Sequence, residues 1–248
     1  MFIYIYMVHL GIIPDGNRRW CKKNDYNLNT LTKHWTHLIL SHINKCLKDD
    51  TDKFKYLKQI NEISLYVCSI DNINRNDNTP SLIFNLIRKI YDIIKQPNDY
   101  LEPTGANVFI SNKEKYKNNI NLIVNFIGDV NVLPKDIQDI IQELQNELKT
   151  NYQNPDAKKF TFNIAIAYDY NKDMTNFGSY HMENYNREQS NIDLVFRSGG
   201  EKRISGFFPT KILYSELFFD KTLWPDITLF DLNKIIKKFF HRNRRFGK

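Results

Sequence analysis

Three segments of the chain combine arginine with glycine and small polar side chains, a combination that suits the binding of phosphate groups. The first is Asp15-Gly-Asn-Arg-Arg-Trp20. Its glycine permits close approach of the backbone, N–H groups at a following helix start would surround a phosphate, and Arg18 and Arg19 would neutralise it. Asp15 is a candidate ligand for Mg²⁺ held against phosphate oxygens. A turn with a solvated basic face is the alternative interpretation.

The second segment contains Ser69, Asp71, Asn72 and Arg75. Small hydrogen-bond donors beside an arginine suit an anion site or a site of proton transfer. The chain is rich in asparagine throughout, so an ordinary asparagine-rich loop is the competing interpretation.

The third segment is Arg197-Ser-Gly-Gly-Glu-Lys-Arg-Ile-Ser205, which holds two arginines, two serines and a glycine pair. Such a set predicts a second phosphate site, with a plain flexible loop as the alternative. Further along the chain, Glu216 stands within the apolar run of residues 213–219. An acidic residue in such surroundings is usually paired with a cation or bound to a metal.

The elements that must position these segments alternate between strands and helices. Apolar or alternating runs predict strands over residues 4–13, 63–68, 122–127, 160–167 and 192–196. Helical spacing and start signals predict helices over residues 31–47 and 229–240, and from Thr79-Pro80 and Pro134 onward. Residues 97–121 and 169–191 lack periodicity and are predicted to be loops. This order predicts an α/β fold with a largely parallel sheet flanked by helices. The three segments then follow strand ends, where such sheets bind ligands.

Composition narrows the class of protein. The 248 residues predict one domain over residues 1–248, and a hydrophobic content of 42% excludes a wholly disordered chain. The net charge of +7 favours anionic partners, namely nucleic acid, an acidic membrane surface or phosphorylated metabolites. Three cysteines without a CxxC pair indicate a reducing compartment, here the cytoplasm. No segment is long and apolar enough to span a bilayer, so we expect any membrane contact to be peripheral.

Several catalytic and binding signatures are absent from the sequence. There is no GxSxG, HExxH, Walker A or GxGxxG match, which speaks against the enzyme classes that these motifs mark. His34 and His37 lie one helical turn apart and are expected to be structural or solvated rather than metal ligands. The arginines near the C-terminus raise the possibility of nucleic-acid binding, but no nucleic-acid-binding fold signature accompanies them, so no such partner is predicted.

Longer runs around the three segments match the motifs of a known family in order. They are His9-Leu-Gly-Ile-Ile-Pro-Asp-Gly-Asn-Arg-Arg-Trp20, Ser64-Leu-Tyr66 with Ser69, Asn72 and Arg75, Ile127-Gly-Asp129, Asn163-Ile-Ala165, Asp193-Leu-Val-Phe-Arg-Ser-Gly-Gly-Glu-Lys-Arg-Ile-Ser205, Tyr214-Ser-Glu-Leu-Phe-Phe219, Leu223-Trp-Pro-Asp226 and Arg244-Arg-Phe-Gly247. The set resembles the undecaprenyl diphosphate synthase family, the cis-prenyltransferases, from about Val8 to Gly247.

The resemblance implies a transferase that condenses isopentenyl diphosphate onto an allylic diphosphate, such as farnesyl diphosphate, to make a polyprenyl diphosphate with cis double bonds. Asp15 would coordinate Mg²⁺ and help the allylic diphosphate to leave, and Glu216 would complete the metal site. Asn72 would help remove the proton after condensation. The other residues implied to bind substrate are Gly16, Asn17, Arg18, Arg19, Trp20, Ser69, Arg75, Arg197, Arg203, Ile204 and Ser205.

The resemblance also implies a homodimer with a hydrophobic tunnel between the sheet and the helices. The tail from Arg245 to Gly247 would reach towards the active site of the partner. The chain departs from the family pattern at Arg18, where the family usually has glycine, and at Leu28 and Thr32, which replace an arginine and a histidine. His34 would match that histidine if the loop is two residues longer. A non-catalytic subunit of a heteromeric cis-prenyltransferase is the alternative, although such subunits typically lose part of the opening motif.

Overall fold

A six-stranded sheet with the strand order β3-β4-β2-β1-β5-β6 forms the centre of the protein. The computed structural model describes residues 7–26, 54–95, 120–151, 158–178 and 191–245. Every neighbouring pair of strands in the sheet is parallel. The strands are β1 (Val8–Ile13), β2 (Ile60–Tyr66), β3 (Ile120–Ile127), β4 (Lys158–Ala165), β5 (Leu194–Arg197) and β6 (Glu216–Phe219).

Helices lie in the connections between successive strands from β1 to β5, as is usual between parallel strands, and a loop without a helix connects β5 to β6. The described helices are α1 (Asn17–Asn24), the single turn α2 (Ile70–Ile73), α3 (Thr79–Lys95), α4 (Lys135–Asn151), α5 (Tyr170–Gly178) and α6 (Leu229–Phe240), with 3₁₀ turns at Leu57–Gln59, Val130–Val132 and Trp224–Asp226. Two helices begin with a reciprocal capping box: Ser69 with Asn72 at α2, and Thr228 with Asp231 at α6. These caps satisfy N–H groups that the first helical turn leaves without partners.

Both faces of the sheet are covered, which explains why β1 and β5 are buried along their whole length and are almost continuously apolar. Along β1, Val8, Leu10 and Ile12 pack into one hydrophobic cluster together with α6. Ile13 packs into a second cluster, and Gly11 lies against the ring of Phe207 on that side. The alternation of side chains along a strand therefore sends successive residues of β1 into two different cores.

The predicted α/β fold with a largely parallel sheet and flanking helices is confirmed. At the majority of strand ends, the observed limit differs from the predicted one by two to four residues. The helix α6 has its predicted bounds. Two predictions were incomplete. The four-residue strand β6 was not predicted, because so short a run forms a strand only by pairing with β5. Residues Ile120 and Asn121, expected in a loop, belong to β3.

The predicted loop over residues 169–191 was wrong in its first part, where α5 lies. This helix lacks an apolar stripe because it is stabilised by polar contacts. The carboxylate of Asp169 accepts hydrogen bonds from the N–H groups of Asn171 and Lys172. Asp173 is buried and accepts hydrogen bonds from the hydroxyls of Tyr168 and Thr210. Periodicity therefore could not reveal α5.

Some predictions fall on residues that the structure does not describe. The helix over residues 31–47 and most of the loop over residues 97–121 lie outside the described residues. The hydrophobic tunnel and the extent of one domain over residues 1–248 stay predictions. None of the described helices combines the length and apolar composition that a membrane span requires.

Candidate active site

The three arginine-containing segments lie at the same edge of the sheet. The first follows β1, the second follows β2 and the third follows β5. Because β2, β1 and β5 are adjacent and parallel, their carboxyl ends stand side by side. The first and third segments contact each other directly through Asp15 and Arg197, and the neighbouring residues Asp77 and Tyr66 link the second segment to the first and to the third.

Asp15 is the centre of the contacts between the first and third segments. Its Oδ2 atom accepts a hydrogen bond from Nη2 of Arg197 at 2.8 Å, and Nη2 of Arg19 lies 3.4 Å from its Oδ1 atom. The N–H of Gly16 donates to the same Oδ1 atom at 2.6 Å. The hydroxyl of Ser198 accepts from the Asp15 N–H and donates to its carbonyl oxygen, both at 2.9 Å. Backbone and side chain of Asp15 are therefore both held by neighbouring groups.

The arginines keep the Asp15 carboxylate ionised. Its partial burial by itself would raise the pKa, but the hydrogen bond from Arg197, the N–H of Gly16 and the charges of Arg197 and Arg19 outweigh that effect. The net result is a pKa below the usual value for aspartate. Asp15 is thus an anionic oxygen ligand at neutral pH, positioned beside two guanidinium groups.

Arg197 organises the third segment from a buried position. Its side chain is only 5% exposed, and its Nη1 atom donates to the carbonyl of Arg203 and to the hydroxyl of Ser205, the latter at 2.8 Å. Its Nε atom is buried and has no hydrogen-bond partner among the described residues. The arginine therefore connects the loop after β5 with Asp15 and retains one unused donor.

The backbone of Gly199 makes the close approach of the two loops possible. Gly199 has φ = +82°, and a Cβ atom there would lie 2.9 Å from the carbonyl carbon of Asp15 and 2.8 Å from Nη2 of Arg19. Only a residue without a side chain fits this position. The neighbouring Gly200 has a similar φ of +85°, but a Cβ atom there would meet nothing nearer than 3.9 Å.

The second segment folds around the capping box of α2. Oδ1 of Asn72 accepts hydrogen bonds from the N–H of Ser69 at 3.0 Å and from its hydroxyl at 3.2 Å. The Asn72 N–H donates back to Oγ of Ser69 at 3.2 Å. The Nδ2 group of Asn72 forms no hydrogen bond to a described residue. The cap therefore fixes the orientation of the Asn72 amide and leaves its donor side unused.

One carboxylate connects the second segment with the first. Oδ2 of Asp77 accepts hydrogen bonds from Nε and Nη2 of Arg75, at 3.0 and 2.7 Å. Nη1 of Arg18 lies 3.4 Å from the same oxygen. Arg18 and Arg75 thus contact the same oxygen of a single acidic group.

Other predicted site residues lie nearby but are occupied by structural contacts. Trp20 is buried, donates from Nε1 to Asp226 at 2.6 Å and stacks on Tyr26. The amide of Asn17 donates to the carbonyl of Pro14 at 2.9 Å, which closes the turn after β1. Ile204 packs against the core beneath the third segment, and Arg203 is exposed and pairs with Glu201.

The structure does not bring Glu216 and Asp15 together within one chain. Glu216 begins β6 and pairs in register with Leu194, which pairs with Leu10, whereas Asp15 follows the carboxyl end of β1. Glu216 is thus three residues, or about 10 Å, before the edge at which the three segments lie. There it forms an ion pair with Arg242 at 2.9 Å.

The C-terminal tail also lies at the amino edge of the sheet. Arg244 pairs with Asp193, directly before β5, at 2.9 Å, and the next residue, Arg245, is exposed. His34 and Gly247 lie outside the described residues, as do Leu28 and Thr32.

Three residues join the site without having been predicted as site residues. Ser198 holds both backbone polar groups of Asp15, and Asp77 pairs with Arg18 and Arg75. Tyr66 donates its hydroxyl to the carbonyl of Ser205 at 3.1 Å, which joins the second and third segments. Burial raises the pKa of Tyr66 to about 12, so it stays a neutral donor. Ser198 and Tyr66 stand inside motifs that the sequence analysis identified, whereas Asp77 lies outside them.

The donor set fits a magnesium ion that is shared with a substrate. Among the described residues, no three His, Cys, Asp or Glu side chains come together as a metal site. Asp15 offers a carboxylate that is one-third exposed and lies between the arginines of the first and third segments. Mg²⁺ is commonly held by one or two carboxylates together with water and substrate phosphates. Asp15 therefore fits as a single protein ligand.

Comparison with known proteins decides the family. The family model for undecaprenyl diphosphate synthases matches residues 13–247 of this chain. The chain belongs to that family, the cis-prenyltransferases. The resemblance read from the motifs is thereby confirmed.

Individual cis-prenyltransferases match nearly the whole chain. The tritrans,polycis-undecaprenyl-diphosphate synthase (geranylgeranyl-diphosphate specific) of Sulfurisphaera tokodaii is 30% identical, over 96% of this chain and 87% of that protein. The isoprenyl transferase of Treponema denticola is 27% identical over 96% of each chain. Lavandulyl diphosphate synthase from Lavandula x intermedia, solved in complex with dimethylallyl diphosphate, has a TM-score of 0.69 at 22% identity, over 98% of this chain and 99% of that one. That last likeness is one of fold.

Membership of the cis-prenyltransferase family supports a polyprenyl diphosphate synthase activity for this chain. The family implies an allylic diphosphate and isopentenyl diphosphate as substrates. The alternative of a non-catalytic subunit is not favoured by these matches.

Proposed function

We propose that the protein is a Mg²⁺-dependent, homodimeric cis-prenyltransferase that condenses isopentenyl diphosphate onto an allylic diphosphate such as farnesyl diphosphate. The observation that carries the proposal is the contact between Asp15 and Arg197. It joins two arginine-containing segments from neighbouring strand ends into one site. The reaction joins two substrates that each carry a diphosphate group. It therefore needs two anion-binding sites that are close enough to bring the reacting carbon atoms together.

The allylic diphosphate would bind between the first and second segments. Gly16 begins α1 from a left-handed conformation, and the first turn of α1 carries Arg18 and Arg19 with no acidic residue. Basic side chains are unfavourable beside the positive end of a helix unless an anion is bound there. Arg75 approaches the same region from the second segment.

Isopentenyl diphosphate would bind at the third segment. Arg197, Arg203 and Ser205 supply charged and neutral donors on one loop. Arg197 contacts Asp15, so the two substrates would meet close to that aspartate. Arginine suits this task because its planar guanidinium group can bind phosphate oxygens in pairs.

The chain would promote both the departure of diphosphate and the loss of a proton. Asp15 would hold Mg²⁺ together with diphosphate oxygens, and the bound ion would neutralise charge that develops on the leaving group. Arg18, Arg19 and Arg75 would stabilise the same charge as pre-positioned donors. Asn72, whose amide is oriented by Ser69, would position the group that takes the proton from the isopentenyl unit.

The growing hydrocarbon chain needs an apolar groove. Beneath the first and second segments, Leu65, Phe162 and Leu86 of α3 contribute to one hydrophobic cluster. We place the beginning of the predicted tunnel on this face of the sheet. A long product held there would also account for peripheral membrane contact without an anchor.

The homodimer would form through the free edge of β6. This strand ends the sheet, and the residues before it, Leu213 and Tyr214, are 77% and 67% exposed. Two β6 edges related by a two-fold axis run in opposite directions, which brings the amino edge of one sheet towards the carboxyl edge of the other. Glu216 and Arg245 of one chain would thereby serve the site of its partner.

The first experiment is a product assay. The purified protein is incubated with farnesyl diphosphate, radiolabelled isopentenyl diphosphate and Mg²⁺, beside the Asp15→Asn variant. We expect a labelled, butanol-extractable polyprenyl product from the wild type that is lost in the variant and in EDTA. Chromatography then gives the chain length.

If no product forms with farnesyl, geranyl, dimethylallyl or geranylgeranyl diphosphate as the primer, the proposal is overturned. A folded but inactive protein would then favour a non-catalytic subunit, and a search for a catalytic partner chain would follow.

A further inference from the structure

Asp77 contacts two arginines that follow the ends of different strands. Arg18 belongs to α1 after β1, and Arg75 follows α2 after β2. Both guanidinium groups contact the same oxygen, Oδ2. We infer that Asp77 is a positioning residue that orients Arg18 and Arg75 for binding the diphosphate of the allylic substrate. The inference rests on the proposed function and deepens it.

The Asp77 carboxylate is itself fixed by the start of a helix. Its Oδ1 atom accepts a hydrogen bond from the N–H of Thr79, the first residue of α3, at 2.9 Å. The hydrogen bonds from Arg75 and Thr79 hold its pKa well below the usual range for aspartate. The group is therefore ionised at every pH at which an enzyme of this kind would be assayed. A carboxylate that is itself fixed restricts the orientations of the two guanidinium groups that contact it, whereas contact with water alone would leave both side chains free to reorient.

The contact with Arg75 leaves part of that guanidinium group available. Asp77 engages the Nε and Nη2 side of Arg75, and the Nη1 atom forms no hydrogen bond to a described residue. Arg75 is 38% exposed, so its unused side remains open to solvent. A side chain held in this manner loses less conformational freedom when it binds a phosphate oxygen.

Arg18 adds a second cation to Asp77. Its contact with Asp77 forms a bridge between the first and second segments. Arg18 touches Asp77 through one nitrogen at 3.4 Å and is 62% exposed. Such a contact contributes little to folding, because exposed ion pairs are screened by water. We therefore expect its loss to affect substrate binding and to leave the fold intact.

The chain offers a matched control for removing Asp77. Asp136 of α4 accepts hydrogen bonds in the same side-on manner from Nε and Nη2 of Arg88 on α3, at 2.8 and 2.6 Å. Asp136 is exposed and lies outside the three segments. The variants Asp77→Asn and Asp136→Asn therefore remove the same type of charge pair inside and outside the site. Asparagine keeps an acceptor for Thr79, so the start of α3 is preserved.

The test measures kcat and the KM for each substrate separately. We expect Asp77→Asn to raise the KM for farnesyl diphosphate about fivefold, a change of the size that one ordinary hydrogen bond contributes. We expect kcat to fall by no more than a similar factor, because the same arginines also stabilise the departing diphosphate. The KM for isopentenyl diphosphate should change less than about twofold, and Asp136→Asn should match the wild type in all three. In an Arg18→Gly background the effect of Asp77→Asn should shrink, because one of the two oriented arginines is gone.

Three outcomes would overturn the inference. The first is an Asp77→Asn variant that behaves like Asp136→Asn. The second is a lower KM for farnesyl diphosphate, which would mean that Asp77 competes with the substrate. The third is an effect confined to isopentenyl diphosphate. If the wild type makes no product, the proposed function fails. The inference is then judged by calorimetric titration with farnesyl diphosphate alone, and equal Kd values for the wild type and Asp77→Asn overturn it.

Discussion

The two edges of the sheet both carry arginine–carboxylate pairs, but the pairs are built differently. At the carboxyl edge, Asp15 contacts Arg197 and Arg19, and Asp77 contacts Arg75 and Arg18. At the amino edge, Asp193 pairs with Arg244, and Glu216 pairs with Arg242.

The difference shows which edge is prepared to bind an anion. At the carboxyl edge, each of the two carboxylates contacts two arginines, so each contact carries a net positive charge. An anionic ligand can neutralise that charge. A pair of one arginine with one carboxylate, such as each pair at the amino edge, is neutral and leaves no such excess of charge. Ion pairs by themselves are therefore a poor guide to function, whereas an excess of one sign at strand ends is informative.

The largest effect is expected from removing Arg197. Arg197→Met leaves Asp15 without its closest cation and the third segment without its hydrogen bonds to Arg203 and Ser205. We expect kcat/KM to fall about a thousandfold, the upper range for the loss of one pre-organised electrostatic group. The matched control is Arg88→Met, which removes an aspartate-paired arginine between α3 and α4. Melting temperatures of both variants would separate lost activity from lost fold.

Arg197→Met should also change the dependence of kcat/KM on pH. Arg197 helps to lower the pKa of Asp15, so the stabilisation from this ion pair is present above the unfolded pKa and is lost as the pH falls through the folded value. Without Arg197 the pKa of Asp15 rises. The acid limb of the profile of kcat/KM against pH should then move to higher pH relative to the wild type. An unmoved acid limb would show that Asp15 does not control it.

The second effect tests the close approach of the two loops. Gly199→Ala places a Cβ atom against the backbone of Asp15 in a left-handed conformation, whereas Gly200→Ala imposes a similar φ without that contact. We expect a loss of about a hundredfold in kcat/KM for Gly199→Ala, because misplacing a reacting group by about 1 Å has that cost. Gly200→Ala should lose only a few-fold. Equal losses would mean that backbone strain matters and the contact does not.

The third prediction asks whether the amino edge of one chain serves the carboxyl edge of its partner. Asp15→Asn and Arg245→Ala are each expected to be strongly impaired. In dimers formed from an unfolded equal mixture, half are mixed, and one site in each mixed dimer combines intact Asp15 with intact Arg245. We expect about a quarter of wild-type activity to return. No recovery, with mixed dimers demonstrated by mass spectrometry, would place both residues in the same chain's site or exclude Arg245.

The smallest effect compares two capping boxes, one at the site and one outside it. Ser69→Ala and Thr228→Ala each remove the capping hydroxyl of a helix and should each lower the free energy of unfolding by about 1 kcal/mol. Only Ser69→Ala also removes a hydrogen bond that orients the Asn72 amide and leaves it held by the backbone N–H of residue 69 alone, so only that variant should lower kcat, by about tenfold. Denaturant unfolding and steady-state kinetics on the same preparations would check both. An equal loss of kcat in both variants would mean that general stability, not Asn72, is responsible.

Much of the fold was predictable because its signals are local. The helix α6 shows an apolar face and the N-terminal box of Thr228 and Asp231, so its ends could be read from spacing alone. The strands β1 to β5 are marked by apolar runs. By contrast, α5 is capped by Asp169, the residue before it, and is held by the buried carboxylate of Asp173, and neither interaction leaves a periodic pattern. The strand β6 depends on its partner β5.

The individual residues of the site could be predicted from the sequence, but the contacts between them could not. Residue types identified Asp15, Arg19, Asn72 and Arg197 as candidates for phosphate and proton chemistry. Asp77 gave no signal, because an aspartate two residues before a helix has an ordinary structural use as a cap. Its second use depends on Arg18, which lies 59 positions away along the chain.

The sequence by itself determined the elements and the chemistry that each segment carries, because periodicity, turn residues and side-chain type act over a few neighbouring positions. The tertiary structure decided which segments meet. Asp15 and Arg197 are 182 positions apart and touch only because β1 and β5 are neighbours, whereas Glu216 begins its parallel strand and so lies at the opposite edge. Strand order arises from pairing between distant parts of the chain, and that information is not contained in any local pattern of residues.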